Sequence, residues 1–445
     1  MLLQSQRGCS MVRDDIWYHV YPLGFLGAEP HNPAPGTHGG TVSHRLRDLV
    51  GWLDGTVDLG FGGLLLGPVG ESQSHGYDVV DPFQVDRRLG NEADFGHLVD
   101  ECRRRSLRVA LDVVLNHVGR GHPHFVDVLA RHRDSPWQDW FLIDFDRPGY
   151  DGFAYETFEG HGELVKLNHH NSEVLDWAVD LACCWIRRGV DAFRLDAAYA
   201  IPTSFLAKFA DRVREENPDV LLLGEMIHGD YVSFIESSHL DTVTQYELWK
   251  AIWSSLNDEN FFELAHALER HRDFAQQFIS WNFLGNHDTT RIATRLKDRR
   301  HLPHTLAVLM TLPGLTAIYA GDEQGAEGTK YDREGGDQEI RRPPPLEPEA
   351  LLKDPPAIWR LHQQLIAMRR QRPWLATGKL TVNHLTNRLI SYQITSGDDR
   401  IVVTLNTDDA PSPCHVSDKM RPIAGSFAED PQQLPPHGWG IWCKE

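Results

Sequence analysis

Four acidic residues each lie in, or at the end of, a short apolar run. They are Asp112 in RVALDVVL, Asp196 in AFRLDA, Glu225 in VLLLGE and Asp288 in NFLGNHD. Apolar runs of this length, separated by amphipathic stretches, are typical of buried parallel strands. The carboxyl ends of the strands in an α/β barrel meet on one face, and that face carries the chemistry. A pair of carboxylates flanking one bond is the equipment for cleaving a glycosidic linkage. The pattern therefore indicates an enzyme that acts on a sugar.

Eight runs of this kind are predicted to be the strands of a (β/α)8 TIM barrel, so the predicted fold class is α/β. They are residues 17–23, 62–69, 108–115, 192–197, 220–225, 242–248, 278–285 and 315–320. Helical patterns lie between most of them, for example HRLRDLVGWLDGTVDLG and EADFGHLVDECRRRS. A repeated alternation of strand and helix is typical of a parallel sheet with right-handed crossovers.

One connection is too long for an ordinary loop. Residues 118–170 follow the third strand and are rich in His, Asp, Gly, Pro and aromatic residues. Since long connections in compact domains are usually functional, we expect a short lobe over the barrel mouth. After residue 377 the pattern changes to short strand-like runs, which predict an antiparallel β domain. The predicted division is a barrel of residues 1–117 and 171–377, an inserted lobe of residues 118–170, and a C-terminal β domain of residues 378–445.

The composition restricts the partners and the compartment. A hydrophobic content of 41% and a charged content of 24% fit a globular protein. The net charge of −19 argues against nucleic acid or an anionic membrane as a partner. No apolar run is long enough to span a bilayer, and the first fifteen residues have no signal-peptide core. Six cysteines in 445 residues do not form a dense disulfide framework, so we expect reduced thiols and a cytoplasmic location. These features do not determine the oligomeric state.

A series of motifs resembles glycoside hydrolase family 13, the α-amylase superfamily. The motifs are IWYHVYPLGF, HGYDVVDPFQVDRRLGNEADF, DVVLNH, DAFRLDAA, GEMIHGD, FLGNHD and IYAGDEQG. They stand in the family's order and at its spacing, and together they cover nearly the whole chain. The resemblance implies a barrel, a lobe after the third strand, a C-terminal β domain and a retaining mechanism on α-glucosidic bonds.

Two details resemble the neopullulanase and cyclomaltodextrinase group within that family. The segment LVKLN at 164–168 is similar to the group's motif ending in Pro-Lys-Leu-Asn, with Val165 in place of the proline. His228 follows Glu225 at three residues, also a pattern of this group, although Ile227 stands where its tryptophan usually is.

Asp196 and Glu225 match the two catalytic carboxylates of the family. Asp196 matches the nucleophile, and because Arg194 lies two residues before it on a strand, both side chains are expected to point to the same side. The neighbouring guanidinium favours the ionised carboxylate that a nucleophile needs. Glu225 matches the general acid/base, which must be protonated to donate, so we expect its surroundings to raise its pKa.

The remaining matched residues are implied to bind the reacting sugar or to support the site. Asp288 is the third catalytic carboxylate and, with His287, matches the pair that grips this sugar. Further contacts to the sugar are implied for Tyr77, His117, Arg194 and His228. Asp112 matches a supporting residue that holds the arginine in place.

Metal binding is expected to play no part in catalysis. Asn116 often binds calcium in secreted relatives, but Ca²⁺ needs about six to eight oxygen ligands and the lobe has no dense acidic loop to supply them. The cluster of His117, His122 and His124 could suggest zinc, yet no cysteine or carboxylate completes a site. We therefore expect no required cofactor, and expect any ion present to be a structural calcium near Asn116.

The residues after the nucleophile depart from the family pattern. Many endo-acting amylases have Lys-His where Tyr199 and Ala200 stand, and that pair holds the leaving side of a long chain. Ala200 has no polar side-chain atom, and Tyr199 offers one ring and one hydroxyl, which suit a single neighbouring sugar. The sequence therefore favours short malto-oligosaccharides or small α-glucosides over starch. Two alternatives stay open: a transglycosylase, in which a sugar resolves the glycosyl–Asp196 intermediate, and a non-catalytic binding protein, against which the retained carboxylates argue.

Overall fold

The largest sheet is a barrel of parallel strands. The computed structural model describes residues 16–32, 42–333, 335–417, 419–427 and 432–444. The barrel strands are β1 (Ile16–Val20), β2 (Gly63–Leu66), β3 (Arg108–Val114), β4 (Ala192–Asp196), β5 (Leu221–Gly224), β6 (Thr242–Val243), β7 (Trp281–Phe283) and β8 (Leu315–Tyr319). Their order in the sheet is β6-β5-β4-β3-β2-β1-β8-β7. An isolated parallel bridge between Thr244 and Trp281 brings the two edges together and closes the barrel.

Helices follow the strands and form the outer layer. The main ones are Glu92–Arg104 after β2, Ser172–Arg187 after β3, Thr203–Glu216 after β4, Tyr231–Ser238 after β5, Tyr246–Asn257 and Phe261–Phe274 after β6, Leu302–Thr311 after β7 and Ala357–Arg370 after β8. The other helices are Pro22–Phe25, Leu46–Val50, Leu53–Leu59, Pro123–Arg131, Ile292–Arg295 and Pro348–Lys353. Asn91 begins the helix after β2 with a capping box, because its side chain accepts from the Asp94 amide while Asp94 bonds back. This alternation of strand and helix confirms the predicted α/β class.

The barrel strands are apolar on both faces. Inside the barrel, one cluster contains Trp17, Leu65, Ala192 and Trp281. Phe193 and Leu195 belong instead to the larger core, which includes residues of the surrounding helices. Because side chains alternate along a strand, Arg194 and Asp196 share the inner face of β4 with Ala192.

The lobe after β3 is a small unit with its own aromatic core. It contains the antiparallel pairs His117–Gly119 with Leu164–Lys166 and Ile143–Asp144 with Ala154–Tyr155, together with the helix Pro123–Arg131. Phe125 packs edge-on against Phe141 and Tyr155, with ring centroids 5.1 and 4.9 Å away. These contacts hold the lobe as an ordered unit rather than a flexible loop.

The C-terminal domain is a five-stranded antiparallel sheet. Its strands are β9 (Lys379–Leu385), β10 (Leu389–Ser396), β11 (Asp399–Asn406), β12 (Met420–Gly425) and β13 (Trp439–Lys444), in the order β9-β10-β11-β13-β12. The strand-like runs predicted after residue 377 include RLISYQI, RIVVTLN and GWGIWCK, which correspond to β10, β11 and β13. The other two strands lie at the edges and are more exposed, so their sequences lack a strong apolar signal.

All eight barrel strands are shorter in the structure than predicted, and the first ends at Val20 because a helix begins at Pro22. The difference is largest in the sixth and seventh strands. The run 242–248 is a strand only at Thr242–Val243, and a helix begins at Tyr246, so the predicted strand character of its last residues was wrong. Aromatic and β-branched residues in TVTQYEL favour a strand locally, but the helical spacing that continues to Asn257 prevails. The run 278–285 is a strand only over Trp281–Phe283. In the part of the chain that the structure describes, no helix combines the length and the apolar character that crossing a bilayer requires.

Candidate active site

A single buried arginine connects three carboxylates at the barrel mouth. Arg194 Nη1 lies 2.5 Å from Asp112 Oδ2 and 3.5 Å from Asp196 Oδ1, and Nη2 lies 2.6 Å from Glu225 Oε1. The strands that carry them are neighbours, and the register pairs Arg194 with Asp112. Arg194 is 3% exposed, Asp196 8% and Glu225 6%. One guanidinium therefore fixes the relative positions of the predicted nucleophile, the predicted acid/base and the predicted supporting carboxylate.

Backbone geometry next to Asp196 also holds Glu225. The amide of Ala197 donates to Glu225 Oε2 over 2.9 Å. Ala197 has a φ of 45°, in the left-handed region that residues other than glycine rarely adopt. Tyr246 donates to Glu225 Oε1 over 3.4 Å, and Asn286 Nδ2 donates to the Tyr246 hydroxyl over 2.7 Å. Tyr246 and Asn286 were not among the predicted site residues.

The carboxylates of this group influence one another electrostatically. Burial and the neighbouring Glu225 raise the pKa of Asp196 well above its usual value, and Arg194 opposes this rise without outweighing it. The expectation that Arg194 favours the ionised form of Asp196 therefore identified the effect that lowers this pKa, but burial and Glu225 raise the pKa by more. Burial also raises the pKa of Asp112 to about 6, again against Arg194. Because like charges in a buried site resist simultaneous ionisation, this arrangement favours retention of a proton by the group.

Asp288 has the opposite electrostatic character. Its Oδ1 accepts from Arg341 Nη2 over 2.9 Å, and its Oδ2 lies 2.9 Å from His287 Nε2. Burial alone would raise the pKa of Asp288, but His287 and Arg341 outweigh it and hold this pKa well below the usual range. Arg341 Nε also donates to the His287 carbonyl over 2.9 Å, and its Nη2 pairs with Asp337 at 2.9 Å. Asp288 is therefore ionised and is held in place by His287 and Arg341. Arg341 was not among the predicted site residues.

An aromatic group surrounds His287. The Tyr77 ring is stacked with the His287 imidazole at 5.4 Å between centroids, and the Tyr21 ring is stacked with it at 5.6 Å. The Tyr77 hydroxyl contacts His287 Nε2 and donates to Asp112 Oδ2 over 3.0 Å. His19 meets His287 edge-on at 5.2 Å. Tyr77 thus joins the Asp112–Arg194 pair to the His287–Asp288 pair.

The other two predicted sugar-binding histidines lie in different surroundings. His117 stacks on Phe158 of the lobe with centroids 4.8 Å apart. Burial lowers the pKa of His117 to about 3, so the ring is neutral. His228 lies on the exposed segment after Glu225, and in the described part of the chain no hydrogen bond or ion pair joins it to the carboxylate group. Its predicted role has no geometric support comparable to that of His287.

Tyr199 forms a wall with residues of the lobe. Its hydroxyl donates to Glu159 Oε1 over 2.8 Å, and the Phe158 ring lies 6.4 Å from its ring. Tyr199 lies in the short 3₁₀ helix Ala198–Ala200, which directly follows the nucleophile strand. Residues 158 and 159 thus stand beside the position from which the Lys-His pair is missing. The sequence predicted a lobe over the barrel mouth but did not identify Phe158 and Glu159 as neighbours of Tyr199.

The two metal-binding alternatives differ in their geometry. Asn116 Oδ1 is buried without a hydrogen-bond partner, as an oxygen ligand of a cation would be. The ring nitrogens of His117, His122 and His124 do not form a group that could hold one ion in the described part of the chain. His124 instead stacks on Trp137, with ring centroids 3.7 Å apart.

Comparison with known proteins agrees with this geometry. Residues 45–355 match the family described as alpha amylase, catalytic domain. The chain is 30% identical to cyclomaltodextrinase from Geobacillus thermopakistaniensis, over 98% of this chain and 77% of that protein. It is 31% identical to neopullulanase 2 from Thermoactinomyces vulgaris, over 88% of this chain and 69% of that protein. The structure of cyclic α-maltosyl-(1→6)-maltose hydrolase from Arthrobacter globiformis superposes with a TM-score of 0.81 at 27% identity, covering 98% of this chain and 99% of that one. The chain therefore belongs to the α-amylase family and is a glycoside hydrolase.

Proposed function

We propose that this enzyme hydrolyses α-glucosidic bonds in short malto-oligosaccharides or small α-glucosides, with retention of configuration. The observation that carries the proposal is the contact of one buried guanidinium, that of Arg194, with Asp112, Asp196 and Glu225. This arrangement holds two carboxylates close together at the barrel mouth, where they can flank one glycosidic bond as a double displacement requires. The expected separation of the Asp196 and Glu225 carboxyl groups is about 5–5.5 Å, the value for retaining enzymes.

The reaction proceeds in two displacements. In the first, Glu225 donates a proton to the leaving oxygen while Asp196 attacks the anomeric carbon and the glycosidic bond breaks. This step leaves the sugar covalently bound to Asp196. In the second, Glu225 accepts a proton from water, the water oxygen attacks the anomeric carbon, and the bond to Asp196 breaks. Two inversions give net retention.

The surrounding residues prepare these steps. The Ala197 amide binds Glu225 Oε2, so the carboxyl group has a fixed orientation. Asp288 stays ionised because His287 and Arg341 lower its pKa, and an ionised carboxylate accepts two sugar hydroxyls. Tyr77 places an aromatic face beside His287, where the apolar side of a pyranose can pack.

The wall formed by Tyr199 and the lobe supports a short substrate. The Tyr199–Glu159 hydrogen bond and the nearby Phe158 ring occupy the leaving side next to the nucleophile strand. Relatives of this chain are named for cyclomaltodextrin and for a cyclic maltosyl-maltose. Compact rings and short chains place few sugar units beyond the cut, so a close wall is compatible with them.

We further propose that catalysis requires no metal and that the enzyme is cytoplasmic. The two displacements are carried by side chains already in place, and Asn116 Oδ1 is the position at which a structural calcium would bind. Cys102, Cys183, Cys184 and Cys443 have free thiols, which is typical of a reducing compartment. A further relative, 29% identical over 95% of this chain, is an intracellular maltogenic amylase from Bacillus subtilis. Cell fractionation with an antibody against the chain tests the location.

Azide rescue separates the roles of the two carboxylates. In Asp196→Ala, azide should attack the anomeric carbon of a nitrophenyl α-glucoside directly and give the β-glucosyl azide. In Glu225→Ala, the nitrophenolate leaves without an acid, and azide should displace Asp196 from the covalent intermediate to give the α-glucosyl azide. The assignment is wrong if the two variants give the same anomer or if Asp196→Ala keeps near-normal turnover.

Product analysis distinguishes hydrolysis from transglycosylation. A single pure malto-oligosaccharide should yield only shorter products if water resolves the intermediate. Longer products, formed at millimolar substrate and early in the reaction, would show that a second sugar takes the place of water. A panel of nitrophenyl glycosides and defined linear and cyclic oligosaccharides then defines the linkage and the size of the substrate.

A further inference from the structure

A group of metal-ligand side chains lies between the barrel and the C-terminal sheet. Asp298 and His301 precede the helix Leu302–Thr311, and His437 precedes β13. His301 Nε2 lies 3.0 Å from His437 Nδ1. One ligand atom from each of the three residues lies within 4.8 Å of the other two. The residues come from two segments that are far apart in the chain, so the tertiary fold brings the group together. None of them takes part in the proposed reaction.

The two histidines are arranged as metal ligands usually are. The other ring nitrogen of His437, Nε2, lies 2.8 Å from Asp409 Oδ1. A carboxylate on the second nitrogen fixes the tautomer and the orientation of a metal-bound histidine. His437 is held at a φ of 51°, in the left-handed region, and its backbone amide donates to the Asp408 carbonyl over 3.0 Å.

We propose that Asp298, His301 and His437 bind one divalent transition-metal ion of the Zn²⁺ type, which joins the barrel to the C-terminal sheet. Two imidazoles and a carboxylate form a donor set that Zn²⁺ accepts, with water in the fourth position. Imidazole ligands exclude Ca²⁺ and Mg²⁺, which take oxygen ligands. This ion is distinct from a calcium at Asn116, which lies at the start of the lobe.

Arg300 is the natural competitor of this ion. Its Nη2 lies 2.6 Å from Asp298 Oδ2, and its side chain is 62% exposed. An exposed guanidinium can turn into water when a cation takes its place on the carboxylate. Removal of Arg300 should therefore strengthen metal binding, whereas removal of a ligand should weaken it.

The ion would act on the stability of the domain interface. His304, one turn after His301, contacts the Asn406 carbonyl at 3.1 Å and already links the helix to the end of β11. A ligand that binds the native state and not the unfolded chain stabilises the native state. The ion would replace the hydrogen bond between His301 and His437 with two metal–ligand bonds, and so strengthen the connection from the start of the same helix to the turn before β13.

The test uses the full chain, stripped with a chelator and dialysed against ZnCl₂ in the absence of substrate. We expect one Zn²⁺ per chain by elemental analysis, and a rise in melting temperature with ZnCl₂ but not with MgCl₂. His437→Gln and Asp298→Asn should weaken binding by about tenfold or more, and Asp409→Asn by about tenfold through the orientation of His437. Arg300→Gln should bind Zn²⁺ more tightly.

A matched control is available at another histidine–carboxylate pair. His239 Nδ1 lies 2.9 Å from Asp211 Oδ1 at the surface, so His239→Gln should bind Zn²⁺ like the parent protein. Failure of the parent to bind one equivalent would overturn the proposal. Unchanged affinity in His437→Gln, or weaker binding in Arg300→Gln, would do the same. Because no substrate is present, these results are independent of the proposed glycosidase activity.

Discussion

Arg341 offers the sharpest test of how the site is prepared, because it contacts Asp288 but has no proposed part in the bond-breaking steps. Its Nη2 bonds to Asp288 Oδ1 over 2.9 Å, its Nε bonds to the His287 carbonyl over 2.9 Å, and its guanidinium lies 4.6 Å from the Tyr21 ring centroid. We predict that Arg341→Gln lowers kcat/KM strongly while the fold is retained.

The magnitude follows from the hydrogen bond that is lost. A hydrogen bond to a charged group contributes about 1.5–3 kcal/mol. Each 1.36 kcal/mol of transition-state stabilisation is about tenfold in rate. If Asp288 holds the sugar more tightly in the transition state, loss of its orientation should lower kcat/KM by about 10- to 150-fold. Glutamine keeps most of the side chain's volume, so a packing defect contributes little.

The pH profile gives a second readout that a merely structural role would not change. His287 and Arg341 hold the pKa of Asp288 well below its usual range, so this carboxylate loses its charge only in strong acid. Without Arg341 the pKa of Asp288 rises, and protonation begins at a higher pH. In the parent the raised pKa of Asp196 sets the acid limb of kcat/KM, measured with a nitrophenyl α-glucoside. In Arg341→Gln the rising pKa of Asp288 adds a second protonation to this limb, so the limb should become steeper and move to higher pH.

The neighbouring Arg342 is the matched control, since it is exposed and Arg342→Gln should leave both readouts unchanged. The reasoning fails if folded Arg341→Gln, with the melting temperature of the parent, keeps kcat/KM within twofold. It also fails if kcat/KM falls but the acid limb stays where it was, since Asp288 would then not be the residue that Arg341 controls.

Three further predictions concern the nucleophile, the metal and the substrate. Asp196→Asn should raise the melting temperature. Because burial raises the pKa of Asp196, the ionised carboxylate destabilises the folded state, and increasingly so as the pH rises above the ordinary Asp range. The gain over the parent should therefore shrink on acidification, and a lower melting temperature at neutral pH would contradict this prediction. Dialysis against a chelator should leave kcat intact, and a loss that Ca²⁺ but not Zn²⁺ restores would show that the lobe near Asn116 holds a required metal. From maltose to maltoheptaose, kcat/KM should stop rising after about two or three glucose units; a steep climb to the longest chains would mean that Phe158 and Glu159 grip remote sugars.

The barrel and its carboxylates were predictable because their signals are local. Each acid closes or interrupts an apolar run, and strand ends of a parallel barrel converge whatever the intervening helices are. Arg194 and Asp196 could be placed on one side of β4 from spacing alone, because side chains of a strand alternate. The alternation of side chains along a strand was therefore sufficient to predict the arrangement at the centre of the site.

The contacts that control charge were not predictable in this way. Arg341 follows Asp288 by 53 residues and lies in a segment without strand or helix periodicity, so nothing in its neighbourhood indicates its partner. The same holds for Glu159, which meets Tyr199 across 40 residues from a loop of the lobe. The rise in the pKa of Asp196 depends on burial and on its distance from Glu225, which only the folded chain defines.

The closure of the barrel has a mechanical consequence. β6 has two residues, and beyond it the wall is completed by the Thr244–Trp281 bridge and by the Gln245 amide, which donates to the Trp281 carbonyl over 2.9 Å. Local opening is easiest where the fewest backbone hydrogen bonds must break, so we expect the barrel to open first at this junction. The next residue is Tyr246, whose hydroxyl faces Glu225. The most easily opened part of the barrel wall thus lies next to a contact of Glu225, the proposed acid/base, so we expect substitutions in residues 242–245 to alter turnover without contacting the sugar.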